Sequence, residues 1–218
     1  MLKLHSFTFN PFQENTYLLW DNDTKDTAII DPGCCTTAEQ EDLVSFIAQY
    51  ELKPGRILNT HAHIDHILGN AFVHEKYKIP IFLHEEDLPV MHSLSEVSRM
   101  YGIPATPSPN PDVVMKDGDC INVGRYEFKV LFVPGHSPGS VAFYNSKNNI
   151  LISGDVLFLE SIGRTDLPGG DYFTLMNSIQ NKILSLQDNV IVYSGHGPST
   201  NIGHERRHNP FILEFLNS

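Results

Sequence analysis

The sequence of 218 residues has few basic residues, few cysteines and no long apolar run. Its 15 lysines and arginines stand against 26 acidic residues, a net charge of −11, so the average surface repels phosphate polyanions. We therefore expect neither nucleic acid nor an acidic membrane surface as a partner. Because no stretch reaches about 18 consecutive apolar residues, we also expect no transmembrane helix.

The N-terminus and the cysteines predict a cytoplasmic protein. The segment MLKLHSFTFNPF lacks the apolar core and the small-residue cleavage site of a signal peptide. The three cysteines, Cys34, Cys35 and Cys120, cannot all pair, and adjacent cysteines rarely bond to each other. We interpret Cys34 and Cys35, which follow DPG, as small apolar side chains of a turn rather than as a metal or redox site.

Hydrophobic periodicity predicts strands and helices in both halves of the chain. Strands are predicted over LKLHSFTF, NTYLLWD and DTAIIDP, and after the Pro-rich connection IPATPSPNPD over CINV, YEFKVLFVP, SVAFYN and NILISG. Helices are predicted over TTAEQEDLVSFIAQYE, DHILGNAFVHEKY and DYFTLMNSIQNKILSL, the first capped by Thr36 or Thr37 and the last by Asp171. This distribution favours an α/β (α+β) fold in which two sheets pack face to face with helices outside.

Four apolar runs each lead directly into a polar side chain. RILNT ends at His61, LFVPG at His136, ILISG at Asp155 and VIVYSG at His196. Sheet proteins often expose their chemistry on loops that leave the carboxyl ends of buried strands. Glycines flank these positions and would let the backbone pass close to whatever the side chains surround. We therefore expect the four side chains to meet.

The segment NTHAHIDHILGN carries the densest group of metal-binding side chains. His61 and His63 are two positions apart and share a side in extended backbone, whereas Asp65 and His66 begin a helical run. A helical zinc motif would instead space its histidines at i and i+4. The segment therefore predicts two ligand pairs for two ions about 3.5–4 Å apart. The predicted sets are His61, His63 and His136 for one ion, Asp65, His66 and His196 for the other, and Asp155 as the bridge.

Other polar residues receive ordinary interpretations. The cluster of His61, His63, Asp65 and His66 is different, because packing three imidazoles and a carboxylate together without a partner charge is electrostatically unfavourable. A bound cation would supply that charge. Arg164 and Asp166 in GRTDLPGGD are either a pair that orients the ligands or an ordinary loop salt bridge. The histidines interpreted as surface or core residues are His5, His74, His84, His92, His204 and His208.

The motifs THAHIDH, GHSPGS, SGDVLF and YSGHGP occur in this order, and with them the sequence resembles the metallo-β-lactamase-fold hydrolases. Within that superfamily it is similar to the glyoxalase II group, including its short bacterial members, also through NPFQENTYLLWD, AIIDPG, GRTDLPGGD and TNIGHERRHNPF. The resemblance implies a single domain over residues 1–218, a four-layer αββα sandwich with metals at one edge. The seven ligand positions above match those of the group, and none is a cysteine, unlike in many true lactamases.

The function that the resemblance implies is hydrolysis of a small-molecule thioester, as in hydroxyacylglutathione hydrolases. Two divalent transition-metal ions, zinc first with iron or manganese as alternatives, would lower the pKa of a bridging water and polarise the carbonyl. Asp65, which would orient the resulting hydroxide, and Asp155 are the predicted catalytic residues. The C-terminal helical region that holds glutathione in full-length members is expected to be missing after HNPFILEFLNS, which leaves the thiol carrier open. The oligomeric state is also left open.

The same motifs are compatible with two alternative functions. Persulfide dioxygenases resemble the same group, also carry a GRTD-like loop, and use one iron held by two histidines and a carboxylate. The second alternative is a metal-containing scaffold or sensor without catalysis. The complete set of ligand positions and the glycine-lined loops favour an enzyme.

Overall fold

The computed structural model describes residues 1–217 and contains two six-stranded β-sheets. The strands of the first sheet are β1 (Leu2–Phe9), β2 (Glu14–Asp21), β3 (Asp26–Ile30), β4 (Lys53–Leu58), β5 (Ile81–His84) and β6 (Val113–Met115). They neighbour one another in that order. The pairs from β1 to β3 are antiparallel, and those from β3 to β6 are parallel.

The second sheet is built from the carboxyl-terminal half. Its strands are β7 (Cys120–Val123), β8 (Tyr126–Phe132), β9 (Val141–Asn145), β10 (Ile150–Gly154), β13 (Ile191–Ser194) and β14 (Thr200–Asn201). Between β10 and β13 the chain forms a separate two-stranded hairpin of β11 (Leu157–Phe158) and β12 (Ser161–Ile162). The sheet order is β14-β13-β10-β9-β8-β7. Because β8 and β10 are both antiparallel to β9, and β13 is parallel to β10, the strands β8, β10 and β13 share one direction. Their carboxyl ends therefore lie at the same edge.

Helices cover the outer faces of both sheets. They are α1 (Thr37–Gln49), α2 (Ile64–Ile67), α3 (Asn70–Tyr77), α4 (Leu88–His92), α5 (Leu94–Tyr101), α6 (Tyr172–Ser178), α7 (Ile202–His208) and α8 (Pro210–Asn217). Helices α1 and α3 pack on the first sheet, and α6, α7 and α8 on the second. The predicted fold class, a four-layer αββα sandwich, is confirmed. No helix within residues 1–217 combines the length and the apolar character needed to cross a bilayer.

Strand β2 shows how the layers are built, because all of its residues are buried. Successive side chains of a strand point to opposite faces. Leu18 and Trp20 accordingly pack against the helices, whereas Tyr17 and Leu19 pack against the second sheet. The core between the two sheets continues through Phe128 and other side chains of β8 and β9. Burial on both sheet faces gives the loops at the edge a rigid support.

The predicted caps of two helices are present. Thr36, not Thr37, caps α1: its hydroxyl accepts from the Glu39 amide at 3.3 Å, and the Glu39 carboxylate accepts from the Thr36 amide at 2.9 Å. This capping box satisfies two otherwise unpaired amides. Asp171 caps α6 by accepting from the Thr174 amide at 2.7 Å. Helix α6 is shorter than predicted and continues as a π-helical turn, Ile179–Ile183.

The helix predicted over DHILGNAFVHEKY is wrong in one respect, since the structure has two helices there, α2 and α3. They meet near Gly69, whose amide donates to the Pro32 carbonyl at 2.7 Å. A Cβ on Gly69 would lie 2.6 Å from the Cys34 sulfur. The break follows from this contact with the loop after β3, and it leaves α2 as a single turn that carries Asp65 and His66.

Candidate metal centre

The seven predicted ligand residues lie together at one edge of the sandwich. Four follow β4 of the first sheet, and the others follow β8, β10 and β13 of the second. Those three strands of the second sheet point the same way, so their loops converge. The residues are His61, His63, Asp65, His66, His136, Asp155 and His196.

Two groups of three side chains within the cluster have the spacing of metal ligands. The nitrogens of His61, His63 and His136 all lie within 4.8 Å of one another. His63 Nδ1 and His136 Nε2 are 2.9 Å apart, although they belong to loops of different sheets. The second group has the same compactness and consists of Asp65, His66 and His196.

Asp155 lies between the two groups. Its Oδ1 is 3.4 Å from His66 Nε2, and its Oδ2 is 3.6 Å from His136 Nε2 and 3.4 Å from His196 Nε2. One carboxylate therefore faces nitrogens of both groups. This is the placement expected of a carboxylate that serves two ions at once.

The other ring nitrogen of four histidines is held by an oxygen acceptor. His136 Nδ1 lies 2.7 Å from the Arg164 carbonyl, and His196 Nδ1 lies 3.2 Å from the Gln13 carbonyl. His61 Nδ1 contacts the Thr60 hydroxyl at 3.1 Å. When Nδ1 donates to such an acceptor, Nε2 is left with a free lone pair, which is the form that binds a metal.

Asp31 holds the fourth histidine and was not predicted from the sequence. Its Oδ2 lies 3.1 Å from His66 Nδ1 and accepts from the Thr60 hydroxyl at 2.5 Å. Its Oδ1 accepts from the Thr60 amide at 2.7 Å. A signal was present, because Asp31 follows the apolar strand β3 just as Asp155 follows β10. Asp31 thus orients ligands of both groups, His66 directly and His61 through Thr60.

Asp87 is a second residue missed by the sequence analysis. It is fully buried and accepts three hydrogen bonds of 2.6 Å, from the Ala62 amide, the Gly139 amide and the Ser137 hydroxyl. Ala62 lies between the first two ligand histidines, and Ser137 follows His136. Asp87 therefore fixes the distance between the two loops that supply the first group.

Burial and neighbouring charges divide the cluster into a neutral and a charged part. Burial, together with the neighbouring imidazoles, lowers the pKa of His61 well below its ordinary value, and burial lowers that of His63 to about 3. For His66 burial opposes the charge, but Asp65 and Asp155 outweigh it and raise the pKa well above its ordinary value. His61 and His63 of the first group therefore offer neutral nitrogens, whereas His66 of the second group is held positively charged by the two carboxylates.

The residues fit two divalent cations. Three buried polar atoms of the cluster have no hydrogen-bond partner within residues 1–217, namely His61 Nε2, His66 Nε2 and Asp155 Oδ1. Such an unpaired buried atom costs about 1–3 kcal/mol. A Cβ on Gly195 would lie 2.0 Å from Asp155 Oδ1, so only glycine leaves room there. Imidazole nitrogens and carboxylate oxygens suit zinc, iron or manganese.

Arg164 and Asp166 are placed as a loop salt bridge. Both side chains are exposed and form a bidentate salt bridge, in which Arg164 Nε and Nη2 donate to the two carboxylate oxygens of Asp166 at 2.7 Å each. The contact with a ligand is made instead by the Arg164 carbonyl, which binds His136 Nδ1. The orienting role considered for the pair therefore falls to the backbone of the loop and not to its charged side chains.

The remaining histidines and the cysteines lie outside the cluster. His5 stacks on Phe46 with ring centroids 4.1 Å apart, and His84 stacks on Phe132 at 4.3 Å. All three cysteines are free thiols. Burial raises the pKa of Cys34 to about 12, so this thiol is protonated and unreactive at neutral pH. The other histidines outside the cluster contact main-chain or polar surface groups or each other: His74, His92, His204 and His208.

A groove of about 1140 Å³ opens directly onto the cluster. Asp65, Asp155 and His196 line its floor, and its walls are mainly apolar. An apolar cleft with a few convergent polar groups is the usual form of a small-molecule site. The cluster is therefore accessible to a substrate and is not a closed structural site.

Similarity to known proteins agrees with this geometry. Residues 9–196 match the profile of the "Metallo-beta-lactamase superfamily". The chain is 38% identical over 203 residues to "Hydroxyacylglutathione hydrolase GloC" of Haemophilus influenzae. This alignment covers 92% of this chain and 93% of that protein.

Two solved structures superpose closely on the chain. "BLEG-1 B3 metallo-beta-lactamase" has a TM-score of 0.88 and 42% identity, covering 96% of this chain and 99% of that one. "TTHA1623 in a di-iron-bound form" has a TM-score of 0.86 and 39% identity, covering 95% and 99%. Because the profile matches most of the sequence and these proteins align over nearly all of it, the chain belongs to the metallo-β-lactamase superfamily of metal-dependent hydrolases.

Proposed function

We propose that this protein hydrolyses small-molecule thioesters at a two-metal centre, as a glyoxalase II-like enzyme. The observation that carries the proposal is the position of Asp155, whose two oxygens face nitrogens of two complete ligand groups. Sequence similarity to a hydroxyacylglutathione hydrolase supports a thioester as the substrate. The solved di-iron relative supports a centre with two metals.

The metal centre and the protein side chains have separate tasks in this proposal. Two divalent cations held by the ligand groups would supply a Lewis acid and lower the pKa of water. Asp65 lines the groove, and its Oδ2 is 3.1 Å from His196 Nε2. There its carboxylate is placed to accept a hydrogen bond from the attacking water and to direct the water oxygen at the carbonyl carbon.

The reaction adds one water across the carbon–sulfur bond. A carbon–oxygen bond forms, the carbon–sulfur bond breaks, and the products are a carboxylic acid and a thiol that receives the second proton of water. Thiolate is a good leaving group, so the step does not require a strong general acid. This agrees with the groove, whose walls are mainly apolar.

Anaerobic thiol release tests the proposal against the alternative enzymes. Metal-loaded protein supplied with S-lactoylglutathione should release thiol at the same rate with and without oxygen, because hydrolysis needs only water. Oxygen uptake with glutathione persulfide, without thioester cleavage, would instead identify a dioxygenase. A cephalosporin offered to the same preparation tests the activity named for the B3 relative. Ring opening without thioester cleavage would overturn the proposal.

A further inference from the structure

We propose that the groove selects thioesters that join an apolar acyl chain to a thiol carrier without anionic groups. This inference rests on the thioester hydrolysis proposed above and names the substrate class of the same site. Its evidence lies in the walls and the rim of the groove, outside the metal centre.

One wall of the groove is an apolar stripe along α4 and α5. Val90 of α4 and Leu94, Val97 and Tyr101 of α5 all line the groove and recur every three or four positions. Leu94 is buried in a cluster against which Val90 and Val97 pack, whereas Tyr101 is 51% exposed. Met100 lies beside them and is 78% exposed. An exposed apolar surface of this kind is typical of a binding site.

A second set of apolar lining residues comes from the hairpin β11–β12 and the loop after it. Phe158, Leu159 and Leu167 line this side, and Leu159 is 42% exposed. Phe12 closes the groove beside α5, with its ring edge-to-face on Tyr101 at 5.1 Å. An acyl chain in the groove would be in contact with apolar side chains from both parts of the fold.

The charges at the rim disfavour an anionic carrier. Outside the metal centre, the charged residues that line the groove within residues 1–217 are Glu86, Glu96 and Arg164. The Arg164 guanidinium already forms a bidentate salt bridge with Asp166. Neither Glu86 nor Glu96 forms an ion pair in the described part of the chain.

Glutathione does not complement this rim. Its thioesters carry two carboxylates and one ammonium group, and tight binding of a carboxylate usually employs a free arginine or lysine. Here the groove presents two unpaired carboxylates and one occupied guanidinium. The same repulsion applies more strongly to a carrier that bears phosphates.

Four thioesters on the metal-loaded protein test the inference. Acetyl and hexanoyl esters of N-acetylcysteamine, a neutral thiol, are compared with acetyl and hexanoyl esters of glutathione by thiol release. Since a buried methylene contributes up to about fourfold, hexanoyl should exceed acetyl by at least about tenfold in kcat/KM on the neutral thiol. Each glutathione ester should be cleaved less efficiently than the neutral ester with the same acyl group.

Two variants assign the effects to the groove. Met100→Gln should lower kcat/KM more for the hexanoyl ester than for the acetyl ester and so reduce the advantage of the hexanoyl chain. Phe173→Gln is the matched control, because Phe173 is 67% exposed on α6 and does not line the groove. The double variant Glu86→Gln, Glu96→Gln should raise the ratio of kcat/KM for glutathione esters to kcat/KM for the neutral esters. Glu127→Gln, a change of an exposed glutamate of β8, should leave this ratio as it is in the parent.

The outcomes separate the two proposals. If none of the four esters is cleaved, thioester hydrolysis itself is wrong. Cleavage with equal rates for acetyl and hexanoyl esters, or with a preference for the glutathione carriers, would keep the hydrolase and overturn the substrate class.

Discussion

The carboxylate of Asp31 binds His66 directly: Oδ2 lies 3.1 Å from the imidazole Nδ1, and both side chains are buried. The same oxygen accepts from the Thr60 hydroxyl, which contacts His61. One carboxylate behind the cluster therefore orients a histidine of each ligand group. Such partners fix the tautomer of a ligating histidine and increase its basicity.

Replacing Asp31 by asparagine should weaken metal binding without removing a ligand. Asparagine keeps the shape but has no charge, and its amide nitrogen cannot accept from Thr60. We expect metal affinity to fall by about 10–100-fold, as is typical of outer-sphere partners. Competition with a chelator measures the affinity. Asp42→Asn, an exposed position on α1, is the control. Equal affinities of the two variants would contradict the role of Asp31.

The metal content itself gives the second prediction. Two groups of three ligand residues, with Asp155 between them, predict two ions per chain after metal supplementation. Removal of the metals should abolish thioester cleavage until metal is restored. Elemental analysis measures the stoichiometry. A plateau at one ion per chain would show that one group is not a metal site. The identity of the ion should follow supply, since the donors are nitrogen and oxygen alone.

Replacing Asp155 by alanine should reduce activity more than replacing any histidine outside the cluster. Asp155→Ala removes the carboxylate that faces both groups and leaves two cations to repel each other. We expect a loss of kcat/KM greater than the roughly 100-fold typical of outer-sphere changes. His84→Ala and His208→Ala should retain activity, because these imidazoles lie away from the cluster. Near-normal turnover and metal content in Asp155→Ala would show that it is not a bridge.

The layered fold and the convergence of the seven residues follow from patterns that the sequence shows locally. Apolar alternation identifies strands such as β2, and the four apolar runs of the two sheets lead straight to polar residues at one edge of the sandwich. That those residues bind two ions stays a prediction. The helix break at Gly69 was not predicted, because its cause is a contact with Pro32 and Cys34 on another loop.

Asp31 and Asp87 were missed for a similar reason. Asp31 meets Thr60 and His66 at separations of 29 and 35 residues, and Asp87 meets Ser137 at 50. A lone aspartate after a strand is common, and only the folded chain shows which amides and imidazoles surround it. Helices α4 and α5 carried a visible signal in the spacing of Val90, Leu94 and Val97. These residues line the open groove and also pack in a buried cluster, so their spacing alone does not distinguish a groove wall from core packing.

The salt bridge between Asp21 and Arg125 should make stability depend on pH in a defined direction. Arg125 Nε and Nη2 donate to the two oxygens of Asp21 at 2.8 and 2.9 Å and connect β2 to the turn between β7 and β8. These bonds hold the pKa of Asp21 well below its ordinary value. A lowered folded-state pKa means that the contribution is present above the unfolded pKa, near 3.9, and is lost as pH falls through the folded value.

Arg125→Met therefore should have a lower Tm than the parent at pH 7, and the difference should shrink as the pH falls from about 5 to about 2. Metal-free protein is used for both, so that metal release in acid does not enter the comparison. Lys182→Met, which removes an exposed pair with Asp117, is the control for a simple surface ion pair. A Tm difference that stays constant across this range would show that Asp21 is not the group responsible.

Two neighbouring glycines give the last prediction. A Cβ on Gly195 would lie 2.0 Å from Asp155 Oδ1 and 2.7 Å from His66 Cε1, whereas a Cβ on Gly197 would meet nothing within 4 Å. Gly195→Ala should therefore displace Asp155 or His66 and reduce both metal content and turnover. Gly197→Ala should bind metal normally and lose only about 1–2 kcal/mol of stability, because its φ of +69° is strained for alanine.

Comparing Gly195→Ala with Gly197→Ala separates the effect of a steric clash at the metal centre from the effect of backbone strain in the loop. Both substitutions add one methyl group to the loop after β13, two residues apart and on either side of His196. Metal content and turnover are measured for each variant beside the melting temperature. If both variants lost metal equally, loop strain alone would explain the loss, and the close approach of Gly195 to Asp155 would not be what the centre requires.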